Sequence, residues 1–161
     1  MQTVHGPAPG AADSARRALM GSAFGLPFGL GGAATGAGEC PCGGSTYDSC
    51  CGPLYRGEAI AQTAEQLMRS RYSAFARGEG DYLLRTWHPR TRPEELRLDP
   101  QHVWTGLEML STRDGGPQDA QGEVSYRASS RSRDGRSGTL TEDARFERRG
   151  RRWVYVDGEV R

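Results

Sequence analysis

The stretch TAEQLMRSRYSAFARGEGDYLLRTWHP, residues 63–89, sets the fold. Thr63 and Gln66 have capping-box spacing, in which each side chain satisfies a free backbone N–H at a helix start. Ala64, Leu67, Met68, Arg71, Tyr72 and Phe75 recur at helical spacing and trace one face, with Arg71 its single polar member. Gly78 and Gly80 end that helix. Asp81 is placed to cap a second, short helix carrying Tyr82, Leu83, Leu84 and Trp87, which Pro89 stops. Thr91-Arg92-Pro93-Glu94-Glu95-Leu96 reads as one further helical turn, because Pro is tolerated early in a helix and acids are favoured there by the dipole.

Downstream, from His102, the pattern changes to alternation. Strands are expected over Val103–Arg113, Gly122–Ser132, Ser137–Arg148 and Arg152–Asp157. Asp114-Gly115-Gly116, Asp134-Gly135 and Arg149-Gly150 lie between them as turn signals. Val124, Tyr126 and Ala128 alternate onto one face, while Trp153 and Tyr155 oppose Val154 and Val156. Helices first and a meander of strands afterwards predict an α+β fold, with the helices packed on one face of an antiparallel sheet. So small a sheet must curl over its helices to bury them.

Upstream lies CPCGGSTYDSCCG, Cys40–Gly52, which holds every cysteine of the chain: Cys40, Cys42, Cys50 and Cys51. Zinc takes four tetrahedral ligands, and two close thiolate pairs joined by a short loop reach one ion. Gly43 and Gly44 let the backbone turn behind the first pair, Pro41 stiffens that pair, and Gly52-Pro53 is expected to release the chain after the second. A zinc ion held by all four would be closed and structural, stabilising the segment by on the order of 10 kcal/mol. Two rival readings stay open. Cross-paired disulfides would suit an exported protein. A redox dithiol is the other, although C-x-x-C spacing is absent.

The composition bounds the rest. The chain has 161 residues and a formal net charge of +1, which argues against a global attraction to nucleic acid or anionic membrane. All 21 basic residues are Arg, and Lys and Asn are absent, the signature of a GC-rich genome. No apolar run approaches the roughly 20 residues that span a bilayer. Residues 1–38 read as a disordered Gly/Ala-rich tail. Within it, Ser14-Ala15-Arg16-Arg17-Ala18-Leu19-Met20 loosely resembles a twin-arginine export signal. The expected organisation is therefore a tail over 1–38, a cysteine knuckle over 39–56 and an α+β domain over 57–161.

The motif C-P-C-G-G-S-x-Y-x-x-C-C-G resembles the SEC-C zinc motif found at the end of the SecA translocation motor and in small bacterial proteins. The stretch from Cys40 to about Gly158 resembles the YchJ-like family of uncharacterised bacterial proteins. It does so through CCGPLYRGEAIAQTAEQLMRSRYSAFARGEGDYLLRTWHPRTRP, then WTGLEML, then ARFERRGRRWVYVDG. The resemblance implies a SEC-C motif ahead of a cone-like domain of the nuclear-transport-factor-2-like superfamily, a Zn2+ cofactor and a cytoplasmic setting. It also implies a protein partner docked on the knuckle, a small ligand in the cone, and a homodimer formed through the sheet. This chain departs from the family in having Thr46-Tyr47-Asp48-Ser49 where lysines are usual, and in having no cysteine after Cys51.

Candidate chemistry elsewhere is sparse. Arg71, on an apolar helix face, is expected either to pair with a buried carboxylate or to point into a cavity where it binds an anion, with Trp87, His88 and Arg92 as further ligand-binding candidates. Trp104, Trp153, Tyr72 and Phe146 are candidates for the same lining. An enzyme would use His88 as general base beside Arg71, Asp81 or Glu142. The plainer role of His88 is a hydrogen bond to a backbone carbonyl at a helix end, helped by the dipole. Arg145, Arg148, Arg149, Arg151 and Arg152 cluster across a turn, but Glu142, Asp143 and Glu147 are interleaved, so a solvated hairpin is expected rather than an RNA edge. The function that emerges is a small zinc-binding protein acting as a protein- or ligand-binding module, with a cavity enzyme and an exported disulfide-bonded protein as the alternatives.

Overall fold

A computed structural model of the chain describes residues 38–161, so the expected tail and its twin-arginine stretch lie outside the described residues, Gly38 excepted. A 3-10 turn (Tyr47–Ser49) leads into α1 (Gly52–Tyr55), α2 (Ala64–Arg77) and α3 (Gly80–Arg85). The strands β1 (Val103–Asp114), β2 (Gln121–Arg131), β3 (Ser137–Arg149) and β4 (Arg152–Val160) follow.

The start of α2 follows its capping residues. Thr63 Oγ1 accepts from the Gln66 N–H at 3.1 Å, and Gln66 Oε1 accepts from the Gln62 N–H at 2.7 Å, one residue earlier than a strict capping box. The helix ends at Gly78, whose φ of 74° is left-handed. Three local expectations are corrected. Glu79, not Asp81, is the N-cap of α3, and Asp81 lies in its first turn. Gly52-Pro53 does not release the chain but opens α1, where proline suits the first turn. Residues 91–96 form no helical turn, because the Thr91 and Arg92 N–H groups both bond to the His88 carbonyl, at 3.0 and 2.9 Å, and close the turn before Pro93.

The sheet runs β1-β2-β3-β4 with every pair antiparallel. Val124 lies opposite Ala144, Tyr126 opposite Glu142 and Ala128 opposite Leu140, which puts the buried row of β2 and β3 on one face. Register shifts at Trp104/Gly106 and Met109/Ser111 in β1, and at Arg145/Phe146 in β3, bend the strands, as bulges do, and the sheet curves. On the other face Arg113, Glu123, Arg145 and Asp157 stand in one cross-strand row of alternating sign. Arg145 holds Asp157 through two bonds of 2.6 and 2.7 Å, and Arg113 pairs with Glu123.

α2 lies against the buried face through Leu67, Met68, Arg71 and Tyr72. The segment after α3 is tied to β4: the Tyr155 N–H bonds to the Thr86 carbonyl at 2.9 Å and the His88 N–H to the Tyr155 carbonyl at 2.7 Å. That bridge sets Trp87 edge-on to Tyr155, with ring centroids 5.1 Å apart.

Candidate metal centre and the buried Arg71 cavity

The cysteine segment is a small hairpin. The Cys40 N–H bonds to the Ser45 carbonyl at 2.8 Å, the Gly43 N–H to the Cys40 carbonyl at 2.9 Å, and Glu39 bridges Thr46. Gly44 is needed because a Cβ there would stand 2.7 Å from Cys50 Sγ. The second pair comes from the entry to α1, where Cys51 is the N-cap. The four Sγ atoms lie within 4.8 Å of one another. Individual separations are 3.5 Å for Cys42–Cys40 and Cys42–Cys50, 3.7 Å for Cys51–Cys42 and 3.9 Å for Cys50–Cys51. Thiolates about 2.3 Å from a tetrahedral zinc stand about 3.8 Å apart, so the donor set fits that ion in type, number and spacing. All four are free cysteines, and none is joined in a disulfide.

The thiols cannot all ionise by themselves. Hydrogen bonds from Cys42 and Cys51 hold the Cys40 thiol far below its ordinary range. The hydrogen bond to Cys40 pushes Cys51 far up, and burial pushes Cys50 up to about 12. A bound dication eases that conflict by offsetting two of the four thiolate charges.

The knuckle is fastened to the rear of α2, which the sequence did not reveal. Cys40 Sγ lies 3.5 Å from Ser73 Oγ, and Arg69 donates to the Cys42 carbonyl at 3.2 Å while paired with Glu65 at 2.9 Å. The Tyr47 hydroxyl donates to Glu79 at 3.1 Å, and the Arg77 guanidinium stands 3.9 Å over the Tyr47 ring. Cys40, Cys42, Tyr47, Cys51 and Leu54 belong to the same buried cluster as the sheet residues. The signal in the sequence was Ser73, a small residue on the far side of α2 from its apolar face.

On the sheet side of α2, Arg71 is buried, 3 % exposed. Its Nη1 donates to the Leu83 carbonyl at 2.8 Å and to Thr86 Oγ1 at 2.7 Å. Its guanidinium lies 5.0 Å from the Trp87 ring and 4.7 Å from the Tyr155 ring. Burial draws it below the ordinary arginine value. The buried carboxylate nearby is Glu142, which accepts from the Tyr126 hydroxyl at 2.5 Å and the Tyr155 hydroxyl at 2.7 Å rather than from Arg71. Arg71, Trp87, Trp104, Tyr126, Glu142 and Tyr155 line a cavity of about 40 Å³, with Tyr72 and Phe75 beside them.

The other candidates fall elsewhere. Trp153 and Phe146 are core residues outside that lining. His88 is buried but does not line the cavity: its Nδ1 accepts from the Arg90 N–H at 3.0 Å, and its Nε2 lies 3.1 Å from Arg149 and 3.9 Å from Glu147. Arg92 is exposed and Asp81 lies on the outside of α3. Of the clustered arginines, Arg148 caps the Asp119 and Gly116 carbonyls at 2.9 and 3.1 Å and stacks on Trp153, and Arg145 is paired with Asp157. No helix of the described residues is long and apolar enough to cross a membrane.

A four-cysteine knuckle built onto helices over a curved antiparallel sheet defines a class: SEC-C-type proteins with a nuclear-transport-factor-2-like domain. The solution structure of RPA3114, a SEC-C motif containing protein from Rhodopseudomonas palustris, is similar with a TM-score of 0.66 and 31% identity, covering 76% of this chain and 98% of that one. A crystal structure of a SEC-C motif containing protein from Psychrobacter arcticus aligns with a TM-score of 0.63 and 25% identity, over 76% of this chain and 82% of that one. The UPF0225 protein SCO1677 of Streptomyces coelicolor is 56% identical over 121 residues, covering 74% of this chain and 94% of its own length. The family described as "YchJ, middle NTF2-like domain" matches residues 63–158, and the chain belongs to that family.

Proposed function

We propose that this protein is a zinc-stabilised binding module of the cytoplasm. Cys40, Cys42, Cys50 and Cys51 hold one structural Zn2+, and the α+β domain it braces carries the binding function. The observation that carries this reading is the packing of four free Sγ atoms within 4.8 Å of one another. With all four positions supplied by protein, the ion has no open site for substrate. It locks the Cys40–Gly44 turn to the start of α1 and so holds the knuckle on α2. A free-thiolate site of this kind belongs in a reducing compartment. Binding rather than catalysis is favoured because His88 lies off the wall of the Arg71 cavity. The outward rim of the knuckle, Ser45, Thr46, Asp48 and Ser49, is exposed and polar, and is the surface offered to a protein partner.

Cobalt(II) reconstitution tests the centre. The zinc reading predicts the intense visible d–d bands of a tetrahedral tetrathiolate complex, saturating at one ion per chain and bleached by one equivalent of zinc. The weak bands of an octahedral complex, or saturation above one ion per chain, would rule it out.

A further inference from the structure

The cavity on the sheet side of α2 holds two donors without acceptors. The Trp87 indole Nε1–H is buried and unpartnered. Arg71 spends only Nη1 on the Leu83 carbonyl and Thr86, and among the described residues no acceptor takes its Nε or Nη2 and no carboxylate forms an ion pair with it. Both residues line the same space. A buried donor left unmade costs free energy comparable to a lost hydrogen bond, so the Trp87 N–H marks a place where an acceptor belongs, with the unspent guanidinium N–H groups of Arg71 in the same lining. The charge there is already balanced. One guanidinium and one carboxylate are buried, and Glu142 has each oxygen bound by a tyrosine hydroxyl. An incoming anion would leave the buried set with an uncompensated charge, which a low-dielectric site resists. The volume of about 40 Å³ admits a few heavy atoms. Phe75, Trp104 and Leu140, all half-buried, form an apolar rim on which a larger body would rest.

We infer that this cavity binds a small neutral molecule through a hydrogen-bond acceptor, a carbonyl or amide oxygen, received by the Trp87 indole N–H and the free guanidinium N–H groups of Arg71. The inference rests on the binding-module reading but not on the metal, since α2 separates the cavity from the cysteines. Failure at the cobalt test and failure here are therefore distinguishable.

The test is a titration of the zinc-loaded full chain with acetamide and, separately, with acetate, its charged counterpart of the same shape. The readout is the indole N–H signals in 1H–15N spectra, with Trp87 assigned by its loss in Trp87→Phe. Acetamide is expected to shift the Trp87 signal saturably, and acetate to leave it in place. Trp87→Phe, followed through the Trp104 signal, should weaken acetamide about fivefold. Leu140→Trp, which fills the rim, should abolish every acetamide-induced indole shift while signals remote from the cavity stay in place, and it carries the test if Trp87→Phe does not fold because it needs no assignment of the Trp87 signal. Acetate shifting the signal as strongly as acetamide would overturn the neutral-ligand assignment. Silence toward both would show a wall that serves only packing.

Discussion

Two glycines carry more of this structure than their size suggests, because each yields its place to a functional atom. Gly44 lies where a Cβ would meet Cys50 Sγ at 2.7 Å. Gly44→Ala is expected to push Cys50 out of the tetrahedron and weaken zinc binding at least tenfold, read by competition with a chromophoric chelator. Unchanged affinity would mean that Cys50 is not a ligand. Gly158 does the same for the buried carboxylate, since a Cβ there would stand 2.0 Å from Glu142 Oε1. Gly158→Ala must drive Glu142 away from Tyr126 and Tyr155, and a loss of about 3 kcal/mol in urea unfolding is expected. Neither role was legible in the sequence. The partner atoms lie on another strand or another loop, and a glycine says only that space is needed, not for what. Arg71 was half legible. Its position on an apolar face announced burial, but its company of two aromatic faces and two neutral acceptors depends on α3 and β4.

Secondary structure was read more fully than sites, and the reason is periodicity. The strands fall within a few residues of their expected ends because Asp114-Gly115, Asp134-Gly135 and Arg149-Gly150 mark turns and β2 alternates cleanly. The helix of α2 follows from its cap, and Thr63→Ala should cost about 1 kcal/mol by thermal or chemical unfolding, since Thr63 Oγ1 is the acceptor for the Gln66 N–H. An unaltered stability would mean that the helix start is held by the Ala64 N–H to Gly115 carbonyl bond instead. Short elements were where reading failed. α1 is too short for a period to show, and residues 91–96 have the composition of a helix start but are drawn to β4 by the Thr91 hydroxyl bond to the Val156 carbonyl at 2.5 Å. Tertiary contact outweighs propensity over so few residues.

Across the molecule, the knuckle and the sheet meet through α2, so metal binding and domain stability are coupled. Stripping the ion should lower the midpoint of thermal unfolding of the whole chain rather than melt the knuckle alone, because Cys40, Cys42 and Cys51 share the core with Leu67 and Val124. Calorimetry with and without chelator distinguishes one shifted transition from two. A second whole-chain property is alkaline sensitivity. Burial raises the phenols of Tyr126 and Tyr155 well above their ordinary value of 10, and Tyr72 and Tyr82 are raised in the same sense. The folded state thus keeps protons that the unfolded chain releases near pH 10, so this stability is intact below that pH and is lost as pH rises beyond it. Tyrosinate absorbance should rise together with unfolding. A rise well before unfolding would contradict the buried placement of these rings.

The zinc centre is tested most directly by the metal content of protein purified without added zinc, measured by inductively coupled plasma mass spectrometry beside a thiol count. One zinc per chain is expected, with all four thiols shielded until a chelator releases them together, and with the metal lost in Cys50→Ser. Protein free of metal, with no reactive thiol before or after chelation, would contradict the centre and point to disulfides at the same four cysteines.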